Sequence, residues 1–79
     1  MGIPEKLMKT KYKFIHFINS GGNHFGNDVW VCRNNKSKIE LGQVEYYSLW
    51  SQYCYFPMAK AVYSSGCLDD ISDFLKQLN

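Results

Sequence analysis

Proline and cysteine are scarce in this chain, and long apolar runs are missing. Only Pro4 and Pro57 occur and no low-complexity tract interrupts the sequence, which excludes a chain disordered beyond its termini. No stretch approaches the roughly 20 apolar residues that a membrane-spanning helix requires. The opening MGIPEKLMKTKYK lacks the apolar segment of a secretory signal, so the expected location is the cytoplasm. The three cysteines, Cys32, Cys54 and Cys67, are odd in number and contain no close pair. They exclude a disulfide framework, fit a reducing compartment and read as small buried apolar side chains. Together with His16 and His24 they form no CxxC or HxxxH cluster, so neither a metal site nor a cofactor is expected.

What is present is the composition of one small globular domain: 79 residues, 46% hydrophobic and 20% charged. A chain of this length buries a modest share of its surface. Its charge is unevenly spread. Residues 1–38 carry seven Lys or Arg against two carboxylates, and residues 39–79 carry two against five. A basic half attracts an anionic partner; equally, opposite signs can form solvated faces that meet in the fold.

Residues 1–11 read as a flexible N-terminal arm and 12–79 as the domain. Tyr12 to Ile18 is the first strand candidate, with Tyr12, Phe14, His16 and Ile18 on one face and Lys13, Ile15 and Phe17 on the other. Apolar residues on both faces predict cover on both sides. Asn19 to Asn27, NSGGNHFGN, is turn chemistry throughout, with three glycines that accept positive φ. Asp28 to Arg33 is the second strand and Asn34 to Lys38 a polar turn. Ile39 to Tyr47 is the third strand, where Gly42 marks a bulge or a close approach by a neighbour. Ser48 and Leu49 form a short reversal into a fourth strand, Trp50 to Phe56, which Pro57 ends.

The last element is a helix. Ser64 and Ser65 offer a cap. Leu68, Ile71, Phe74, Leu75 and Leu78 form one apolar stripe, with Asp69 and Asp70 toward the positive end and Lys76 at the negative end. The expected architecture is α+β: an antiparallel sheet of about four strands in meander order, with the C-terminal helix packed on one face. Alternation places Val44, Tyr46, Trp50, Cys54 and Phe56 toward the helix. Tyr47, Tyr53 and Tyr55 would lie opposite, near Lys13 and Arg33. Exposed aromatics rimmed by charge mark a binding or dimerisation surface.

No catalytic constellation stands out. Cys67 lies near a helix N-terminus, where the dipole lowers a thiol pKa, but Asp69 and Asp70 oppose a thiolate and a base must come from elsewhere. Asp70 and Asp73 are helical neighbours with nothing apolar around them to raise a pKa. Gly21 to Gly26, with His24, lacks the GKS ending of a phosphate-binding P-loop, though its amides suit an anion nest. Tyr47, Tyr53 and Tyr55 with Lys13 and Arg33 make a base-stacking surface.

The run Leu41 to Pro57, LGQVEYYSLWSQYCYFP, leads on to Tyr63-Ser64-Ser65-Gly66-Cys67-Leu68-Asp69-Asp70-Ile71 and Phe74-Leu75. Residues 41–78 resemble a group of short proteins encoded by bacteriophages, prophages and other mobile elements. Their shared pattern is approximately a Leu-Gly, an aromatic pair, a Trp, Tyr-x-Phe-x-Pro, then a Cys-Leu-x-Asp-Ile helix. This chain has Tyr46-Tyr47 where the group has Trp-Tyr, and residues 19–27 lie outside the pattern. The resemblance implies a non-enzymatic binding module that acts on a host component, in host takeover or counter-defence, within the host cytoplasm. Its partner would be a host protein or a small nucleotide, with no membrane involved. The alternative is a nucleotide- or single-strand-binding protein using Lys13, His24, Arg33, Tyr47, Tyr53 and Tyr55. A second copy covering the tyrosines would make a homo-oligomer, and a Cys67-dependent hydrolase or transferase is the remaining reading.

Overall fold

The computed structural model describes residues 7–22 and 26–79. Four strands precede one helix: β1 (Ile15–Gly22), β2 (Asp28–Asn34), β3 (Glu40–Tyr47), β4 (Gln52–Pro57) and α1 (Ser65–Leu78). The strands pair antiparallel in the order β1-β2-β3-β4, and the helix packs on one face. This is the expected α+β meander.

Residues directly opposed in an antiparallel pair share a face. Phe17 faces Cys32, Trp30 faces Val44, and Val44 faces Tyr55. This row, with Ile15, meets Ile71 and Phe74 of α1 in the core. Phe74 is its centre: its ring stacks on Phe17 at 4.0 Å and takes Trp30 edge-on at 5.1 Å. Such aromatic pairs contribute about 0.5–1.5 kcal/mol each beyond their burial.

The first strand begins at Ile15, not Tyr12. Tyr12 N–H donates to the Ile15 carbonyl and Phe17 N–H to the Thr10 carbonyl, so residues 10–15 fold back and Lys11 bridges His16. Tyr12 is nevertheless buried, and its hydroxyl donates to Asp73 Oδ2 at 2.8 Å. The Gln77 amide holds Lys9 from both sides, accepting from its N–H and donating to its carbonyl. Pairing also continues past Ile18 to Gly22, through an irregularity between Asn19 and Gly22 where Gly21 takes a φ of 98°. Only the Ile15–Phe17 side of β1 is covered; Phe14 and Ile18 are exposed.

Helix α1 starts on Ser64, whose Oγ accepts from Cys67 N–H. Lys76 lies in the last turn, where it complements the dipole, while Asp69 and Asp70 fall beyond the first turn, where the effect has faded. Leu68 belongs to the edge of the stripe and remains 54% exposed; Cys67 packs on the core instead.

Candidate functional site

The helix leaves the second sheet face open. Across it run His16 beside Arg33, Ile18 beside Val31, Gln43 beside Phe56, Glu45 beside Cys54 and Tyr47 beside Gln52. At its β3–β4 end the ring of Tyr47 meets Trp50 at 5.2 Å and Phe56 at 6.0 Å, both edge-to-face. Trp50 is 67% exposed, Phe56 is 40% exposed, and Leu49 beside them is more exposed still.

This arrangement reverses the expected facing of β4, while Val44, Tyr46 and Tyr47 lie as expected. Trp50 is outside β4, in a four-residue loop, Ser48 to Ser51, closed by Trp50 N–H to the Tyr47 carbonyl and Ser51 N–H to the Ser48 carbonyl. A hairpin loop with an even number of residues sets even-numbered positions opposite odd-numbered ones. Val44 and Tyr46 therefore share their face with Tyr55 and Tyr53, while Cys54 and Phe56 join Tyr47. Tyr47, Tyr53 and Tyr55 are not one surface.

Tyr53 and Tyr55 are half-buried against the core on the helix side. Burial raises the proton affinity of both phenols above the ordinary value, and for Tyr55 the Tyr63 hydroxyl at 3.0 Å adds to it. Tyr63 in turn donates to the Leu41 carbonyl, tying the β4–α1 connection to β3. Arg33 lies on the open face between His16 and Glu40, its Nε buried without a hydrogen-bond partner among the described residues. His24 lies outside the described residues.

Lys13 belongs to a second region, at the end of the sheet where β1 begins and β2 turns into β3. One cleft of about 460 Å³ is lined by Lys13, Phe14, Asn34, Asn35 and Lys36. A second of about 240 Å³ is lined by Thr10, Lys11, His16, Phe17 and Lys38. Asn35 joins them: its amide nitrogen donates to the Tyr12 and Lys13 carbonyls, and its Oδ1 accepts from His16 Nδ1 at 2.7 Å. With the amide so oriented, Nδ1 carries the proton. Asn34 Oδ1 accepts from Lys36 and Ser37 N–H and shapes the turn. Lys38 stands at a φ of 64°, a conformation that favours glycine or asparagine.

Sequence reasoning singled out Lys13 here but not Phe14, Asn35, Lys36 or Lys38. The signal was the spacing: two Lys-x-Lys pairs, 11–13 and 36–38, flank segments that pair in the sheet. The Cys67 thiol accepts from Ser64 Oγ at 3.3 Å, which supplies no base. Among the described residues no group of three or more His, Cys, Asp or Glu is placed to hold a metal, and no helix is long and apolar enough to cross a membrane.

Comparison of the chain with protein-family models, curated proteins and solved structures found no match.

Proposed function

We propose that the protein is a small non-enzymatic binding module that engages a host protein through the open sheet face. The observation that carries this reading is the exposed Trp50, Phe56 and Leu49 gathered about the half-buried Tyr47. A domain this small has few large apolar groups to fill its core. Here several stand outside it, packed on one another at a sheet corner and rimmed by Gln43, Glu45 and Gln52. Tyr and Trp anchors surrounded by polar groups are the composition of a protein-binding hot spot. The resemblance of residues 41–78 to phage-borne proteins supports a role in host takeover or counter-defence.

The two tryptophans allow a direct test, because Trp30 is buried and Trp50 exposed. In complex with its partner, the Trp50 emission shifts to the blue and loses access to iodide quenching, while Trp30 is unchanged. Trp50→Ala abolishes retention of that partner on immobilised protein and leaves the thermal midpoint within a few degrees of the parent. Leu68→Ala, on the helix side, changes neither. Equal retention by Trp50→Ala and the parent chain would reject the open face as the binding surface.

A further inference from the structure

The basic end of the sheet carries a second surface, independent of the aromatic corner. Residues 10–16 and 33–40 contribute five cations, Lys11, Lys13, Arg33, Lys36 and Lys38, against the single carboxylate of Glu40. Arg33 lies opposite Glu40 in the β2–β3 register with its Nε buried, which leaves the four lysines as the exposed charge. They come from two segments distant in sequence and are brought to one edge by the β1–β2 register, Ile15 opposite Asn34 and His16 opposite Arg33.

The edge is held in shape. Asn35 N–H donates to the Phe14 carbonyl at 2.8 Å, and the Asn35 side chain binds the Tyr12 and Lys13 carbonyls and His16. One residue thus fixes the β2–β3 turn against the segment that bears Lys11 and Lys13. Lys38, exposed, occupies a backbone conformation that a glycine would take with less strain. Beside Lys13 and Lys36 stands a ring. Phe14 is 52% exposed, lines the larger cleft and has the Lys13 ammonium 5.3 Å from its centroid.

We infer that this edge, with Lys13 and Lys36 beside Phe14 and Lys11 and Lys38 in the second cleft, binds single-stranded nucleic acid. Lysines spread along an edge neutralise successive phosphates, and the Phe14 face stacks an unpaired base. A paired base offers no free face to that ring, which selects the single strand over the duplex. The cleft volume falls within the range that encloses a small ligand such as one nucleotide unit. Four lysines of the basic first half gather at this edge, at the opposite end of the sheet from the Tyr47–Trp50 corner.

The test is fluorescence anisotropy with a labelled oligothymidylate of about twelve residues, an abasic strand of the same length and the corresponding duplex, at low salt and across a salt series. The expected result is tightest binding to the oligothymidylate, with a slope of log K on log salt of about −3 for four neutralised phosphates. Lys13→Gln with Lys36→Gln reduces that slope by about 1.4. Phe14→Ala weakens oligothymidylate binding roughly 5- to 150-fold and leaves the salt slope and abasic binding unchanged. All three substituted side chains are exposed, so these variants keep the fold, as circular dichroism will verify. Absence of binding at low salt overturns the inference. So does equal affinity for the abasic strand or the duplex, or indifference to the lysine substitutions.

Discussion

The phenol of Tyr55 occupies the space that a side chain on Gly42 would need. A Cβ built at Gly42 overlaps the Tyr55 ring end and lies 2.8 Å from the Phe56 carbonyl oxygen. Tyr55 is held there by the Tyr63 hydroxyl, which is itself bound to the Leu41 carbonyl. Gly42 also sits beside the irregularity where Cys32 pairs with Gly42 but Arg33 pairs with Glu40. The close approach and the bulge inferred from this glycine are thus one feature, a kink in β3 that admits the Tyr55 ring.

Gly42→Ala is therefore expected to destabilise the fold by about 1–3 kcal/mol through overpacking, measured by urea denaturation. Tyr55→Leu, which withdraws the ring end but leaves the Phe56 carbonyl in place, should lower the cost of the same glycine substitution without abolishing it. The double variant will then be more stable than the sum of the single losses by about 0.5–3 kcal/mol. Strict additivity would show that the two residues do not compete for this space.

Alkaline pH should unfold the domain through its buried thiol and phenols. Burial pushes the Cys32 thiol up to about 11 from its ordinary 9.0. The unfolded chain then ionises first, so the stabilising effect is complete below pH 9 and is lost as pH rises through about 11. Between pH 8 and 10 this amounts to about 1 kcal/mol. Tyr12, Tyr53 and Tyr55, all raised chiefly by burial, extend the loss above pH 10. Thermal melts of Cys32→Val between pH 8 and 10 should be flatter than those of the parent. An identical pH dependence would exclude Cys32 as the titrating group.

The architecture was legible because strand alternation, turn residues and a capped amphipathic helix all agree locally. Ser64, Ile71 and Phe74 take the places that their spacing predicts. The facing of Tyr46 and Tyr47 agrees with alternation, but that of the β4 aromatics does not, although the rule was within reach. Any even-numbered loop between Tyr47 and its partner strand sends Tyr53 and Tyr55 to the Val44 side. Tyr12 was missed as a core residue detached from its strand, because its burial depends on Asp73 and Gln77, more than 60 residues away in sequence. The basic edge was visible as charge but not as a place, since only the β1–β2 register brings Lys11 and Lys13 to Lys36 and Lys38. Its organiser, Asn35, looks like any other turn asparagine until its four partners are seen.

The free edge of β4 is closed by a side chain. Asn79 Oδ1 accepts from Tyr53 N–H at 2.8 Å and its Nδ2 donates to the Tyr53 carbonyl at 3.1 Å, copying the pair of bonds that another strand would make. Pro57 has no N–H to offer at the far end of the same strand. Both features blunt an edge that would otherwise invite pairing with another chain. Asn79→Ala bares the Tyr53 backbone; the expected loss is about 1 kcal/mol of stability, with self-association that grows with concentration. Asn79→Asp keeps the acceptor but not the donor and should fall between the two. Sedimentation velocity over a concentration series distinguishes them. If Asn79→Ala sediments and unfolds as the parent does, the amide does not guard this edge.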